Sequence, residues 1–517
     1  MSLSRKPMMT KSLGAAVVTL LVLASACTDL TEVPSSSITP ENFYRNEDEV
    51  VGGLASVYAQ LRTTTDDYYN TSEISTDEMV VPTRGQDWYD NGQWLDLHRQ
   101  TFTPNSAGTL NIMNGAWSNL FIGVARANIV LNAMDNVTFA DKPTIIAELR
   151  TLRAFYYFLL MDMFGGVPIV TDIDIKARPQ NTRAEVFKFI ETELTAARAD
   201  LPAKWPDAMN GRLTKGAADA ILASLYLNGE VFTGTVSATG LQKGTAHWQD
   251  AITAADRIIS SGQYTLASNW RSNFTADNYS SPEIIMAVKF ADVSGLGLNM
   301  LMRVLHYNQY TPSPWNGFAT LAETYSAFDA NDVRRGVFLA GLQYNLETGA
   351  PAKDRAGNPL VFDPNIGNET NASEGAGIRI AKWPFDPAHV AQDAGNDYAH
   401  FRLGEIYLIK AEAMNELGQT GAAAALINTT TRARAFQASP KPLPLSLTQA
   451  QMRDSVLSER LFELIAEGKR RTDLIRMGKY TQPWGYKPGP IPPYKILMPI
   501  PQTQLETNPL LKQNPGY

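Results

Sequence analysis

The sequence contains a single cysteine, Cys27, in 517 residues. One thiol excludes an intrachain disulfide framework, a zinc ribbon and an iron–sulfur cluster held by several thiolates. The histidines are few and scattered, and none has another histidine at metal-ligand spacing: His98, His247, His306, His389 and His400. The sequence therefore predicts no metal site and no cofactor. Because Cys27 has a terminal role, argued below, there is also no candidate for a cysteine nucleophile.

Common catalytic and nucleotide-binding motifs are absent too. There is no HExxH, GxSxG or GxxxxGK[ST] sequence, and no GxGxxG between a strand and a helix. Basic side chains are outnumbered, with 45 Lys and Arg against 52 Asp and Glu, which gives a net charge of −7. This balance disfavours a polyanion such as nucleic acid as the main partner.

The first 27 residues have the layout of a secretory leader. Three basic residues precede an apolar run over 13–23, and Ala24-Ser25-Ala26 leads directly into Cys27. A cysteine after small residues resembles the lipobox of bacterial lipoproteins, although Ala24 stands where that motif usually has Leu. We predict a signal peptide over 1–26, cleaved before Cys27, and lipid attachment at Cys27. The alternative is a secreted protein, cleaved near Ala26, with a free thiol.

The predicted lipid anchor determines how the chain associates with a membrane. The apolar run of the leader is too short to span ~30 Å of hydrocarbon, and no later segment is apolar enough to do so. Each buried methylene of an acyl chain contributes about 0.8 kcal/mol, so several chains hold firmly. We therefore expect the mature protein to be tethered to a membrane without crossing it.

The middle and the end of the chain have the periodicity of amphipathic helices. One apolar stripe recurs at helical spacing: Leu149, Leu152, Tyr156, Leu159 and Met163. Gly165-Gly166 and then Pro168 predict the end of that helix. Capping-box pairs at 182–185 and 448–451 predict where two further helices begin. The chain is therefore predicted to be mainly α.

Two stretches resemble pieces of a tetratricopeptide array. In one, a helix over 406–417 turns at Gly418, and small residues at 422–425 open a second helix. In the other, a helix over 217–227 is followed by an insertion, and a second helix then runs over 248–259. Stacked pairs of this kind bury one continuous core. The spacing is irregular, so an ordinary helical bundle is the alternative.

Long segments rich in turn residues separate the helices, at 62–109, 262–318 and 341–398. Loops of this length in a compact protein are usually functional or disordered, and their aromatic content argues against disorder. Strand-like stretches are few and short, at 283–288 and 378–383. The fold class is thus a tetratricopeptide-like helical-repeat scaffold with long irregular loop insertions and a few short strands.

Residues 81–94 hold the densest cluster of aromatic and polar side chains outside the predicted helices. A sugar ring has an apolar face of C–H groups and a rim of hydroxyls. An exposed indole or phenol covers that face, while Asp, Asn, Gln and Arg bond the hydroxyls. Gly85 and Gly92 permit turns that hold such rings outward. The alternative is that these aromatics only fix a long loop onto the helices.

Carboxylates in the first long loop allow a different function. Asp66-Asp67 and Asp77-Glu78 could serve a glycosidase, which needs two carboxyl groups ~5–9 Å apart. Adjacent acids in a polar loop are more often solvated or capping. A further charged run at 467–473 is interpreted as an ion network at a helix end, with a clamp for an acidic ligand as the alternative.

Five segments follow one another in the order typical of one protein family. They are ELRTLRAFYYFLLMDMFGGVPIV at 148–170, GRLTKGAADAILASLYL at 211–227, FRLGEIYLIKAEAMNELG at 401–418, ERLFELIAEGKRRTDLIRMG at 459–478 and the closing residues 508–517. Together they resemble the SusD/RagB family of outer-membrane lipoproteins of the Bacteroidota. The resemblance implies a SusD-like domain over 27–517, with an N-terminal part over 27–230 and a C-terminal part over 231–517.

The resemblance also implies a function. Members of this family lie on the outer surface of the outer membrane, as a lid over a TonB-dependent SusC-like barrel. They capture an oligosaccharide, or in some members a peptide, and pass it to the barrel without cleaving it. We therefore expect a non-catalytic surface lipoprotein that binds a glycan. The alternatives are a peptide-binding RagB-type protein and a surface glycoside hydrolase.

The family's binding residues lie in the N-terminal loop region and in a later aromatic loop, which correspond here to 66–94 and 310–316. On that basis the stacking platforms are predicted to be Trp88, Tyr89, Trp94 and Trp315. The predicted partners for the ligand's polar groups are Arg84, Asp87, Asn91 and Asn316.

Overall fold

Helices are the dominant element of residues 43–517, the part of the chain that the computed structural model describes. Their bounds are α1 Glu47–Gln60, α2 Asp67–Ile74, α3 Gln93–Arg99, α4 Ala107–Ala133, α5 Lys142–Phe164, α6 Arg183–Ala197, α7 Lys215–Leu227, α8 Gly229–Phe232, α9 Trp248–Ile259, α10 Met300–Val304, α11 Ala322–Ala327, α12 Leu403–Glu416, α13 Thr420–Thr429, α14 Thr431–Ala435, α15 Gln449–Leu464, α16 Arg470–Arg476 and α17 Gln502–Thr507. The predicted leader and Cys27 lie outside the described residues.

The long helices pack against one another in succession. α1 packs on α4, α4 on α5, α5 on α6, and α6 on α7. From there α7 packs on α9, α9 on α12, and α12 on both α13 and α15. Each pair buries a face that it could not bury alone, which is the logic of a helical-repeat scaffold. The mainly α prediction is confirmed, and the division of the domain at residue 230 stays a prediction.

Local sequence sets the helix ends at the predicted places. Phe164 is the last residue of α5, and Gly165 follows with a φ of 74°, a conformation that costs glycine little. At the start of α6, Thr182 Oγ1 accepts a hydrogen bond from the Glu185 backbone N–H at 3.2 Å. Glu185 in turn accepts one from the Thr182 backbone N–H at 2.7 Å. A capping box of the same type begins α15 at Thr448.

Short strands connect the loops to this scaffold. Their bounds are β1 Thr235–Ser237, β2 Gly240–Gln242, β3 Ile284–Val288, β4 Phe338–Leu339, β5 Gly341–Leu342, β6 Val361–Phe362, β7 Arg379–Ile380 and β8 Tyr398–Arg402. Among the described residues they form antiparallel pairs, β1 with β2, β3 with β8, β4 with β7 and β5 with β6. The two predicted strand stretches contain β3 and β7. Within the described range, no helix combines the length and the apolar character needed to cross a bilayer.

A buried ion network holds the end of β8 against α15. Arg402 Nη1 lies 2.9 Å from Glu283 and 2.5 Å from Glu463, and Arg402 Nη2 lies 2.8 Å from Glu467. Arg334 adds a second centre, 3.0 Å from the same Glu463. The members of the network, hereafter the β8–α15 network, are Glu283, Asp332, Arg334, Lys382, Arg402, Arg432, Arg434, Glu459, Glu463 and Glu467.

Opposite charges in this network keep Glu463 ionised. Burial alone would raise the pKa of Glu463, but the charges of Arg434, Arg402 and Arg334 outweigh it and hold that pKa well below its usual range. The charged run at 467–473 joins the network through Glu467 and continues with an ion pair from Arg471 to Asp162 at 3.0 Å. Its interpretation as an ion network is confirmed.

We predict that Arg402→Met lowers the free energy of unfolding by about 3–5 kcal/mol, because it leaves buried carboxylates without their partner. The matched control is Arg45→Met, since Arg45 pairs with Glu49 at a side chain that is 70% exposed; its change should stay within about 1 kcal/mol. Denaturant unfolding followed by circular dichroism measures both. Equal stability of the two variants would contradict a structural role for the network.

Candidate functional site

The predicted sugar-binding segment forms a loop between α2 and α3 with a constrained backbone. Trp88, Asp90 and Asn91 all have positive φ angles, of 61°, 38° and 56°. A bulky side chain seldom adopts that conformation unless its surroundings compensate. Here the Trp88 Nε1–H donates a hydrogen bond of 2.6 Å to the backbone carbonyl of Trp315. The loop is therefore fixed to the later aromatic loop by an indole.

Trp88 belongs to a compact aromatic cluster. Its ring centroid lies 5.4 Å from that of Trp94 and 5.6 Å from that of Phe318, both in edge-to-face geometry. The approach needs Gly317, because a Cβ there would lie 2.4 Å from the Trp88 ring. Trp94 is only 8% exposed, and its Nε1–H donates to Asp90 at 2.7 Å. In this arrangement Trp94 supports Trp88 from below.

The most exposed ring of the loop belongs to the next residue. Tyr89 is 59% exposed, whereas Trp88 and Trp315 are half-buried. Asn91 is exposed beside it, and Asp87 is partly exposed. Of the predicted binding residues, Tyr89, Asn91, Asp87, Trp88 and Trp315 therefore reach the surface.

Three long loops meet around Asp87. The Tyr307 hydroxyl donates to Asp87 Oδ2 at 2.7 Å, and Arg355 Nη2 donates to the same oxygen at 2.8 Å. Arg355 also lies flat on Tyr307, with its Cζ 4.4 Å from the ring centroid, and it is paired with Glu374. We call Asp87, Tyr307, Arg355 and Glu374 the polar rim.

The polar rim contains two carboxylates and one guanidinium. Burial alone would raise the pKa of Glu374, but hydrogen bonds from Arg355 and His306 outweigh it and lower that pKa to about 2. Burial lowers the pKa of His306, which favours its neutral form. The carboxylate of Glu374 and that of Asp87 thus face the single guanidinium of Arg355, whose side chain is 53% exposed.

Two predicted binding residues lie beneath the surface. Asn316 is fully buried, where its Oδ1 accepts from Arg379 Nη2 at 2.9 Å and its Nδ2 donates to the Glu374 carbonyl at 3.1 Å. Arg84 is 2% exposed and donates to the Ala376 carbonyl at 2.9 Å, and burial lowers its pKa to about 10. Both side chains hold the third loop in place, so any contact that they make with a ligand is indirect in this conformation.

Sequence analysis missed Tyr307, Arg355 and Glu374 as site residues. Tyr307 lies in a loop rich in aromatic residues, which is the one signal that could have selected it. Arg355 and Glu374 have no distinguishing neighbours, and Arg355 is 268 positions from the carboxylate that it meets. Only the folded chain brings them together.

Most of the carboxylates considered for hydrolysis are held by ion pairs or hydrogen bonds. Asp66 pairs with Arg303 at 2.7 Å, and Asp77 pairs with Arg470 at 2.7 Å. Glu78 is buried and accepts a hydrogen bond from the Ala466 backbone N–H at 2.9 Å. Among residues 43–517 there is also no cluster of three or more His, Cys, Asp or Glu side chains that could hold a metal ion.

Comparison with protein families accounts for both halves of the chain. A family model described as "Starch-binding associating with outer membrane" matches residues 36–227, and the model of the "SusD family" matches residues 260–517. The chain belongs to the SusD/RagB family. The family description of the first half thus associates this SusD-family chain with the outer membrane.

Known relatives align with this SusD-family chain over nearly its whole length. The SusD-like protein P25 of Formosa agariphila is 26% identical, over 94% of this chain and 96% of that protein. The starch-binding protein SusD of Bacteroides thetaiotaomicron is also 26% identical, over 87% of this chain and 85% of that protein. A solved structure of surface glycan-binding protein A from Bacteroides thetaiotaomicron in complex with laminarihexaose shares the fold. Its TM-score is 0.69 at 20% identity, over 91% of this chain and 99% of that one.

We predict that Gly317→Ala displaces Trp88 and lowers the free energy of unfolding by about 1–3 kcal/mol, because the added methyl group overlaps the indole ring. Near-UV circular dichroism should report the altered indole environment, and denaturant unfolding the loss of stability. Gly336→Ala is the control, since nothing lies within 4 Å of a Cβ there. If both variants keep the wild-type spectrum and stability, the close packing of Gly317 on Trp88 is wrong.

Proposed function

We propose that this protein is a non-catalytic surface lipoprotein that binds an oligosaccharide at the 84–91 loop and passes it to a TonB-dependent SusC-like barrel. The observation that carries the proposal is the exposed ring of Tyr89. The residue before it, Trp88, is fixed by its hydrogen bond to the Trp315 carbonyl. The names of two relatives, one starch-binding and one bound to laminarihexaose, support a glycan as the ligand class.

The site's geometry suits a sugar ring. Tyr89 offers a flat apolar surface for the C–H face, and Asp87 of the polar rim, two residues earlier in the same loop, is already oriented by Tyr307 and Arg355. Because the backbone and Trp88 are held before a ligand arrives, binding need not pay for ordering the loop. Because two carboxylates of the polar rim face one guanidinium, an acidic ligand is disfavoured relative to a neutral one.

Capture without cleavage is part of the same proposal. A glycosidase needs one carboxyl group free to donate a proton and a second one free to act as base or nucleophile. Asp66 and Asp77 are each paired with an arginine, and Glu78 is buried against Ala466. These three carboxylates therefore serve structure, and the fourth candidate, Asp67, has its pKa raised to about 7 by burial and by the charge of Asp66.

We predict that Tyr89→Ala weakens binding of maltohexaose or laminarihexaose about 3- to 10-fold in Kd, the value of one aromatic contact of about 0.5–1.5 kcal/mol. Isothermal titration calorimetry with both sugars measures the effect. Leu445→Ala is the control, because Leu445 has the same 59% exposure in a distant part of the sequence.

Three results would contradict the proposal. If Tyr89→Ala keeps the wild-type affinity for both sugars, the Tyr89 ring is not part of the binding site. Binding of a peptide mixture without binding of either sugar would favour the peptide alternative. Release of new reducing ends during incubation of the purified protein with the sugars would show an enzyme.

The proposed membrane anchor is a lipid on Cys27, and a separate experiment tests it. We predict that Cys27→Ser moves the protein from the outer-membrane fraction to a soluble fraction, because the thiol that takes the lipid is gone. Ser25→Ala, next to the predicted cleavage site, should leave the protein in the membrane. Recovery of the Cys27→Ser protein in the membrane fraction at the wild-type level would contradict lipid attachment there.

A further inference from the structure

A second cleft, of about 490 Å³, lies between the connection from α6 to α7 and the segment that leads into β3. Its lining shares no residue with the 84–91 loop or the polar rim. The volume lies within the ~300–1,000 Å³ of typical small-molecule sites. The cleft is therefore large enough for a ligand of its own.

Aromatic side chains line this cleft from both sides. Trp205 comes from the α6–α7 connection, and Tyr264 and Tyr279 come from the segment before β3. Tyr279 is 57% exposed, close to the value of Tyr89 in the first site. Its ring lines a concave surface, where it is open to a ligand.

The walls of the cleft are fixed in place. The Trp205 Nε1–H donates to the Leu213 carbonyl at 2.8 Å, and the Arg212 guanidinium lies 3.9 Å from the centre of its ring. Asn210 Nδ2 donates to the Tyr279 carbonyl at 2.9 Å, which ties the two walls together. The aromatic surfaces are thus held before any ligand enters.

The charged side chains around the cleft are largely neutralised. Arg212 pairs with the buried Glu148, and Lys289, which lies 5.4 Å from the ring of Tyr279, pairs with Asp397. Lys204 and Asp207, which have opposite charges, also line the cleft, together with neutral polar groups such as the amide of Gln263 and the hydroxyl of Ser280. Flat aromatic surfaces, amides, hydroxyls and little net charge together match an uncharged saccharide better than an ion or a lipid.

We propose that this cleft is a second saccharide site, in which Trp205 and Tyr279 contact the apolar faces of sugar rings. The site takes a neutral glycan independently of the 84–91 loop. A long chain can then be held at two points, which raises its apparent affinity without any new contact at the first site.

Fluorine NMR of the full chain labelled with 5-fluorotryptophan separates the two sites. The nine tryptophans give nine signals, of which Trp205 and Trp88 are assigned with Trp205→Phe and Trp88→Phe. The protein is titrated with maltohexaose and with laminarihexaose. In the wild-type protein we expect the Trp205 signal to shift with added sugar until it saturates. In Tyr89→Ala the shift should have the same size and midpoint. In Tyr279→Ala the sugar concentration at half-saturation should rise about 3- to 10-fold.

The control for Tyr279→Ala is Tyr344→Ala, a tyrosine that is 47% exposed and lies outside the cleft. A Trp205 signal that neither sugar moves overturns the second site, and so does a shift that disappears in Tyr89→Ala. A shift caused by a peptide mixture alone overturns the saccharide class. Movement of the Trp88 signal reports the first site separately, so failure of one proposal is distinguishable from failure of the other.

Discussion

Matched charge in the β8–α15 network is the constraint on which the rest of this structure depends. Removing a single ion from water costs several kcal/mol, so each carboxylate and guanidinium of the network must find its partner for the chain to fold. Arg402 meets this condition by contacting Glu283, Glu463 and Glu467 at once. These partners come from the residue before β3, from the end of α15 and from the turn after it, so satisfying one side chain fixes how the β3–β8 pair meets the helical scaffold.

The 84–91 loop depends on this constraint through a short series of contacts. On either side of Glu467, the backbone N–H groups of Ala466 and Gly468 donate to the buried carboxyls of Glu78 and Glu73. Burial raises the pKa of Glu73 to about 7, and burial together with the charge of Glu73 raises that of Glu78. They fix the chain that leaves α2, and the 84–91 loop begins only a few residues later.

Sequence predicted the scaffold well because its signals are local. The apolar stripe of α5, its stop at Gly165 and the capping box at Thr182 each involve residues within one or two helical turns. The site was predicted less completely. Composition identified the 81–94 segment, yet it could not show that Trp94 faces inward while Tyr89 faces outward, because that depends on Phe318 and Gly317 from another loop.

The division between scaffold and loops explains how one fold serves several ligands. Relatives of this chain are named for starch and for laminarihexaose, although they share its architecture from end to end. The helices and the ion network place three long loops against one another but leave few of their surface side chains constrained. Tyr89 is mostly exposed, whereas Trp88 and Asn316 are held by several partners. The exposed positions can therefore vary while the buried ones keep the loop in the conformation that presents them.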